Sequence, residues 1–181
     1  MLFSFAPEEK MKPDRPYKIL FLCTGNSARS IFAEYLTQVV APGVFEAHSA
    51  GSMPKGKVHP MALRVLSEIH GIDASDAESK SWDRFRDSEV AFDFVITVCD
   101  HAKESCPVWP GQPVIAHWGS MDPAAVVGSE EEIYQAFKNV SFEIRRRLEL
   151  FASLPFEKLD RLRLEQMTRE IPNATSPELA S

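Results

Sequence analysis

The chain has 181 residues, 44% of them hydrophobic and 25% charged, which is ordinary composition for one globular domain with a sizeable core. A net charge of −6 argues against nucleic acid or an anionic membrane as a partner, so any anion site must be local. No apolar run approaches the roughly 18 residues of a membrane span, residues 1–9 lack the basic and apolar segments of a secretory signal, and three cysteines make no disulfide framework; a cytoplasmic protein with reactive thiols is expected.

Residues 1–16, with Pro7, Pro13 and Pro16, predict an extended lead-in. Residues 17–22 predict a strand that is apolar on both faces, as in a parallel sheet covered by helices. A helix follows from Ser27 to about Val40, with Phe32, Tyr35, Leu36 and Val39 on one stripe and a stop at Pro42-Gly43. Val44–Ala47 is a second short strand, followed by His48-Ser49-Ala50-Gly51. A helix starts after Pro60, carries Met61, Leu63, Val65, Leu66 and Ile69, and stops at Gly71. A short helix is expected around Arg84–Ser88, then a strand from Phe92 to Val98 that delivers Cys99 to the carboxyl edge, where open α/β sheets hold their ligands.

Val114–His117 is a fourth strand, and Trp118–Pro123 a loop. Ser129-Glu130-Glu131-Glu132 reads as a capping box opening a long helix with Ile133, Phe137, Val140, Ile144, Leu148 and Phe151, closed by Pro155. Residues 156–171 predict a further amphipathic helix on Phe156, Leu159, Leu162, Met167 and Ile171, and the last ten residues are expected to fray. The organisation read from this pattern is a lead-in 1–16, a catalytic unit 17–155 and a helical extension with tail 156–181.

The chemistry concentrates in Cys23-Thr24-Gly25-Asn26-Ser27-Ala28-Arg29-Ser30, between the first strand and the first helix. Backbone N–H groups of a loop entering a helix converge on an anion, the helix dipole adds positive charge, and Arg29 can grip two oxygens of a tetrahedral oxyanion. The same field should draw the Cys23 thiol below its usual value of about 8.5, making thiolate the resting form, with Ser30 placed to hydrogen-bond it. Gly25 and Asn26 suit the turns.

Asp122, before Pro123 on the loop after the last strand, is a candidate general acid. Cys99 and Cys106 are seven residues apart; a helix between them would separate their Cα atoms by roughly 10 Å, beyond the disulfide limit of about 7 Å. If they bond, the segment between them must unwind, which makes it a candidate redox switch. Zinc-type spacings are absent, so His48, His59, His70, His101 and His117 are expected to be structural and no metal is predicted.

These motifs, together with Ser49-Ala50-Gly51, His117-Trp118-Gly119 and Asp122-Pro123-Ala124, make residues 17–152 resemble the arsenate reductases built on the low-molecular-weight tyrosine phosphatase fold. The resemblance implies an α/β three-layer sandwich with a four-stranded parallel sheet flanked by helices. It implies that Cys23 thiolate attacks arsenate held by the amides of Thr24–Ser30 and by Arg29 while Asp122 protonates the leaving oxygen. Cys99 then attacks Cys23, arsenite departs, and Cys106 carries the disulfide outward to an external thiol. Thioredoxin is the favoured donor, with glutaredoxin and glutathione the alternative.

In family members that bind potassium the ligands match Asn26, Glu34 and Ser49 plus an aspartate that aligns with Lys80. The lysine is therefore expected to replace the cation and pair with Glu34. Two rivals share the cradle. A low-molecular-weight tyrosine phosphatase would carry aromatic residues just after Asp-Pro, where this chain has Ala124-Ala125, and would not need Cys99 and Cys106. A non-catalytic redox or oxyanion sensor would not need Asp122.

Overall fold

The computed structural model describes residues 14–158 and 161–175; most of the expected lead-in (1–13), Leu159 and the end of the expected tail (176–181) lie outside the described residues. Strands β1 (Tyr17–Cys23), β2 (Phe45–Gly51), β3 (Phe94–Thr97) and β4 (Val114–His117) form one parallel sheet in the order β2-β1-β3-β4. The helices are α1 (Arg29–Val40), α2 (Pro60–His70), α3 (Asp83–Arg86), α4 (Asp100–Ser105), α5 (Glu130–Ala152) and α6 (Arg161–Ala174). The chain leaves β1 for β2 on one side and later returns to β3 on the other. The carboxyl ends of β1 and β3 therefore form the switch point where such sheets open a crevice. Leu22 pairs with Ala50 and with Thr97, which sets Cys23 and Cys99 on adjacent strand ends.

Both faces of β1 are buried, as the apolar run required. Ile19, Phe21 and Cys23 join the larger core with Phe32, Leu36, Val65, Phe137 and Leu148. Leu20 and Leu22 join a second cluster with Trp82, Phe92, Val95 and Trp109. Aromatic rings close the far end of the sheet, with Phe94 edge-on to Phe151 at 5.1 Å and Phe45 stacked on Phe151 at 5.2 Å.

Several boundaries differ from the sequence expectations. β2 begins at Phe45 and runs on through Gly51, because His48–Gly51 pair residue for residue with Leu20–Cys23; of the polar side chains there, Ser49 is taken up by the site and His48 pairs with Glu46. β3 is limited to Phe94–Thr97, the stretch that meets both neighbours. In α1, Val39 is 48% exposed, and the buried face is widened by Ser30, Ile31, Ala33 and Thr37.

The end of the chain is also organised differently. Residues 156–158 form one 3-10 turn, and α6 starts at Arg161. Its buried residues are Leu164, Thr168 and Ile171, with Leu162 79% exposed, so the stripe expected through Leu162 and Met167 is out of phase. The helix also continues through Pro172 to Ala174, past the expected start of fraying. Pro172 has no N–H, which leaves the Thr168 carbonyl without its helical donor. The Trp118 indole N–H donates to that carbonyl at 3.0 Å. Arg147 of α5 donates to the Trp118 and Gly119 carbonyls at 3.0 Å each, and Arg169 donates to the Ile115 carbonyl at 3.1 Å. The extension is thus fastened to the edge strand β4 and to the loop that follows it.

Candidate active site

The loop after β1 is shaped by where its carbonyls go. The Cys23, Thr24 and Gly25 carbonyls accept from the Ser52, Met53 and Lys55 N–H groups at 3.2, 3.0 and 3.0 Å, and the Ser27 carbonyl accepts from the His59 N–H at 2.9 Å. In a trans peptide the N–H points opposite to the C=O, so a loop whose carbonyls face the 52–59 segment turns its amides the other way. Asn26 N–H donates to Cys23 Sγ at 3.1 Å. Ala28 at the N-cap of α1 carries no capping oxygen and the first turn holds no acid. The positive helix end is therefore left for an anion. Gly51 is required beside this loop, since a Cβ there would lie 2.5 Å from the Thr24 carbonyl oxygen.

Asn26, at φ 43°, is the hinge of a buried network. Its Nδ2 donates to Ser30 Oγ (2.8 Å) and Ser49 Oγ (2.9 Å), and its Oδ1 accepts from the Lys80 backbone N–H at 2.8 Å. Because Ser30 Oγ accepts from Asn26, its own hydrogen is free to point at Cys23 Sγ, 2.9 Å away. By the same logic Ser49 donates to Glu34 Oε2 at 2.5 Å, and Lys80 Nζ lies 3.6 Å from that oxygen with both side chains mostly buried. Asn26, Glu34, Ser49 and Lys80 thus converge, and the oxygens a potassium ion would need are already engaged with one another and with Lys80. These residues do not fit that ion. Burial pushes the Glu34 carboxyl up, opposed by Lys80 and Ser49.

The expectation of a resting Cys23 thiolate is corrected. Complete burial pushes its pKa up; the Ser30 hydroxyl and backbone N–H pull the other way, the nearby Cys99 adds to the rise, and Arg29 pulls down least. The sequence shows the cations and the helix start but not the desolvation, and desolvation wins.

Above the thiol is a cavity of about 410 Å³ lined by Cys23, Thr24, Gly25, Ser27, Ala28, Arg29, Met53, Lys55 and Asp122. Arg29 donates to the Ser120 carbonyl at 2.9 Å and lies 3.5 Å from the Asp122 carboxylate; Asp122 Oδ1 accepts from Ala124 N–H. A larger cavity of about 680 Å³, at the amino end of the sheet among Arg15, Tyr17, Leu154 and Phe156, holds no nucleophile. Among the described residues no group of three or more His, Cys, Asp or Glu is arranged to hold a metal ion.

All three cysteines are free thiols. Cys99 caps α4 and lies 3.3 Å from Thr24 Oγ1 of the cradle. Cys106 stands apart from the cradle, extended before Pro107 as a residue preceding proline should be. Its sulfur accepts from the Trp109 indole N–H at 3.4 Å, and burial pushes its pKa up, opposed by that bond. His117 ties this region together, meeting Thr97 Oγ1 through Nδ1 and Asp100 Oδ1 through Nε2, each at 2.8 Å. Gly119 is needed here, because a Cβ would come 2.7 Å from His117 Nε2.

Sequence reasoning missed Met53 and Lys55, Ser79, which donates to the Gly25 carbonyl, and Trp109. None stands at a diagnostic spacing from a catalytic residue. The only available signal was for Lys55, a cation shortly after Ser49-Ala50-Gly51.

A cysteine at the tip of β1, an arginine at the start of α1 and an aspartate after β4, on a 2-1-3-4 parallel sheet, define a nucleophilic oxyanion-binding enzyme. The model of the low molecular weight phosphotyrosine protein phosphatase family matches residues 18–163, and the chain belongs to that family. Within it, the chain is 39% identical over 134 residues to a protein named arsenate reductase from Halalkalibacterium halodurans, covering 74% of this chain and 94% of the relative. A crystal structure of arsenate reductase from Archaeoglobus fulgidus is similar with a TM-score of 0.58 and 31% identity, over 75% of this chain and 99% of that one. A thioredoxin-dependent arsenate reductase from Corynebacterium glutamicum is similar with a TM-score of 0.53 and 31% identity, over 76% of this chain and 64% of its own.

Proposed function

We propose that the protein is a cytoplasmic arsenate reductase working through three thiols. The observation that carries this reading is Cys99 at the rim of the cradle, 3.3 Å from Thr24 Oγ1. A phosphatase resolves its intermediate with water and has no use for a second thiol there. The cavity lining also offers no aromatic wall for a phosphotyrosine ring.

Arsenate enters with its oxygens toward the loop amides and Arg29. Because burial favours the neutral Cys23 thiol, the arsenate dianion is the base that takes its proton as sulfur attacks arsenic. Asp122 protonates the departing oxygen, which leaves as water. Cys99 thiolate then attacks Cys23 Sγ. The arsenic–sulfur bond breaks with its electron pair on arsenic, giving arsenite and a Cys23–Cys99 disulfide. Cys106 attacks Cys99 Sγ, releasing Cys23 and forming Cys99–Cys106, which an external thiol reduces. Thioredoxin is the donor this reading favours, with the glutaredoxin and glutathione system as the alternative. Lys80 supplies the positive charge beside Glu34, so activity and melting temperature should not respond to exchanging sodium for potassium.

The test is arsenate turnover with a thiol reductant, alongside aryl phosphate hydrolysis. Cys99→Ser and Cys106→Ser should each abolish steady-state arsenate reduction and leave any aryl phosphatase activity intact. Arsenate turnover that survives both substitutions would exclude the relay.

A further inference from the structure

Cys106 contributes to another cleft, on the face of the sheet opposite the Cys23 thiol. It has a volume of about 430 Å³ and is lined by Thr97, Lys103, Cys106, Ile115, Ala116, His117 and Arg169. Four elements build it: β3 supplies Thr97, α4 supplies Lys103, the outer face of β4 supplies Ile115 and His117, and α6 supplies Arg169. Ile115 is 37% exposed, an apolar floor that no helix covers. Lys103 has no acidic partner among the described residues. Arg169 is held in place by Glu165 at 2.5 Å and by the Ile115 carbonyl, and His117 by Thr97 and Asp100. Glu165 and Asp100 are thus both engaged by these contacts. Arg169 lies beyond residue 163, where the family match ends, so this wall comes from the chain's own extension.

We propose that this cleft binds a small thiol bearing carboxylates, and that Cys106 forms the mixed disulfide with it. The inference rests on the three-thiol reading above and adds a second reductant class able to reach the last thiol, beside the thioredoxin that reading favours. A concave site within the usual range of about 300–1,000 Å³ takes a tripeptide-sized molecule. Two fixed or free cations at its wall suit carboxylates, and charge-assisted hydrogen bonds to them are the stronger kind. The half-buried Cys106 lies at the edge of this space.

In the reductive direction the small thiolate attacks Cys106 Sγ of the Cys99–Cys106 disulfide. That S–S bond breaks, its electron pair leaves on Cys99 Sγ, which takes a proton, and the ligand remains on Cys106. A second molecule of the same thiol attacks the ligand sulfur, releasing Cys106 as thiolate and the ligand as its symmetric disulfide. Two thiols are oxidised and one protein disulfide is reduced. The cleft is where the ligand sits while it is joined to Cys106.

The test runs the mixed-disulfide step alone, on the full chain with Cys23→Ser and Cys99→Ser so that Cys106 is the sole thiol. Adduct formation is followed by intact mass with glutathione disulfide and with cystamine, which carries amines in place of carboxylates. Each rate is divided by that of the same chain unfolded in urea, to remove differences in leaving-group chemistry. Glutathione disulfide should then react at least about tenfold faster than cystamine, the size of one charge-assisted contact. Lys103→Glu should reverse the preference, and Arg169→Gln should weaken it, with melting temperatures confirming that each variant folds. Equal normalised rates for the two disulfides, or a preference that Lys103→Glu leaves unchanged, would overturn the site. No arsenate is present, so this failure leaves arsenate reduction untouched, while adduct formation in this variant together with a wild-type chain that never reduces arsenate would sink the enzymatic reading alone.

Discussion

The cradle and the segment between Cys99 and Cys106 lie side by side at the carboxyl edge of the sheet, yet they are built in opposite ways. Four loop carbonyls are clamped by the 52–59 backbone, and Asn26, Ser30 and Ser49 are fully buried within one hydrogen-bonded network. In α4 only Ala102 is buried. Beyond the helix's own hydrogen bonds this segment is tied by single side-chain contacts, Cys99 to Thr24, Asp100 to His117 and Cys106 to Trp109. A relay needs this asymmetry. The oxyanion site must hold its geometry while a thiol attacks, and the six residues of α4, about 9 Å of helix, must unwind before Cys99 and Cys106 can bond.

The comparison is broken most severely from the rigid side. Asn26→Ala removes three buried hydrogen bonds and leaves alanine at positive φ, at a cost of about 3–5 kcal/mol. Urea unfolding should show this, with arsenate turnover falling by two or more orders of magnitude; a loss under about 1 kcal/mol would mean the network does not hold the loop.

Lys80→Met should cost about 2–3 kcal/mol, less than a fully buried pair because both groups keep some water. The effect has a pH signature. Burial already raises Glu34, so its neutral form is favoured in the fold; the associated stability is present below the ordinary carboxyl value of 4.5 and is lost as pH rises through the folded value. Removing Lys80 raises Glu34 further. The deficit of the variant should therefore be small near pH 4 and grow toward neutral pH, as thermal melts across that range would show.

Trp118→Phe leaves the Thr168 carbonyl without a donor and should cost about 1–2 kcal/mol. Because Trp118 leads through Ser120 to Asp122, kcat should fall severalfold while KM holds. The smallest effects are kinetic. Alkylation of Cys23 in a Cys99→Ser, Cys106→Ser chain should rise through a midpoint above the usual thiol value of about 8.5, because burial pushes this thiol up. Amides of α4 should exchange with deuterium faster than those of α1, and equal protection of the two helices would remove the contrast.

How much was legible varied with how local the cause was. The octet 23–30 carries its own geometry: a strand end, a residue that tolerates positive φ, an arginine at a helix start. The capping box at Ser129 and Glu132 formed as read, because it closes within four residues. The length of β2 was not legible, since its polar half is a strand only through pairing with Leu20–Cys23. The phase of α6 was missed for a similar reason. Hydrophobicity pointed to Leu162 and Met167, whereas the buried face includes Thr168, whose carbonyl the proline frees for Trp118.

The sequence by itself determined the octet with its cysteine and arginine, the Asp-Pro pair proposed to hold the acid, the three thiols and the alternation of strand and helix that makes a parallel sheet. These depend on residue types at short spacings, where propensity and chemistry act without knowledge of distant neighbours. Only the tertiary structure decided which of those groups meet and in what protonation state. Burial raises the Cys23 thiol against the pull of Ser30 and Arg29, and Lys80 finds Glu34 across 46 residues of chain. The C-terminal helix, ordinary in sequence, is fastened through Trp118 to the loop that carries Asp122. Desolvation and long-range pairing are properties of the packed chain, and no local pattern encodes them.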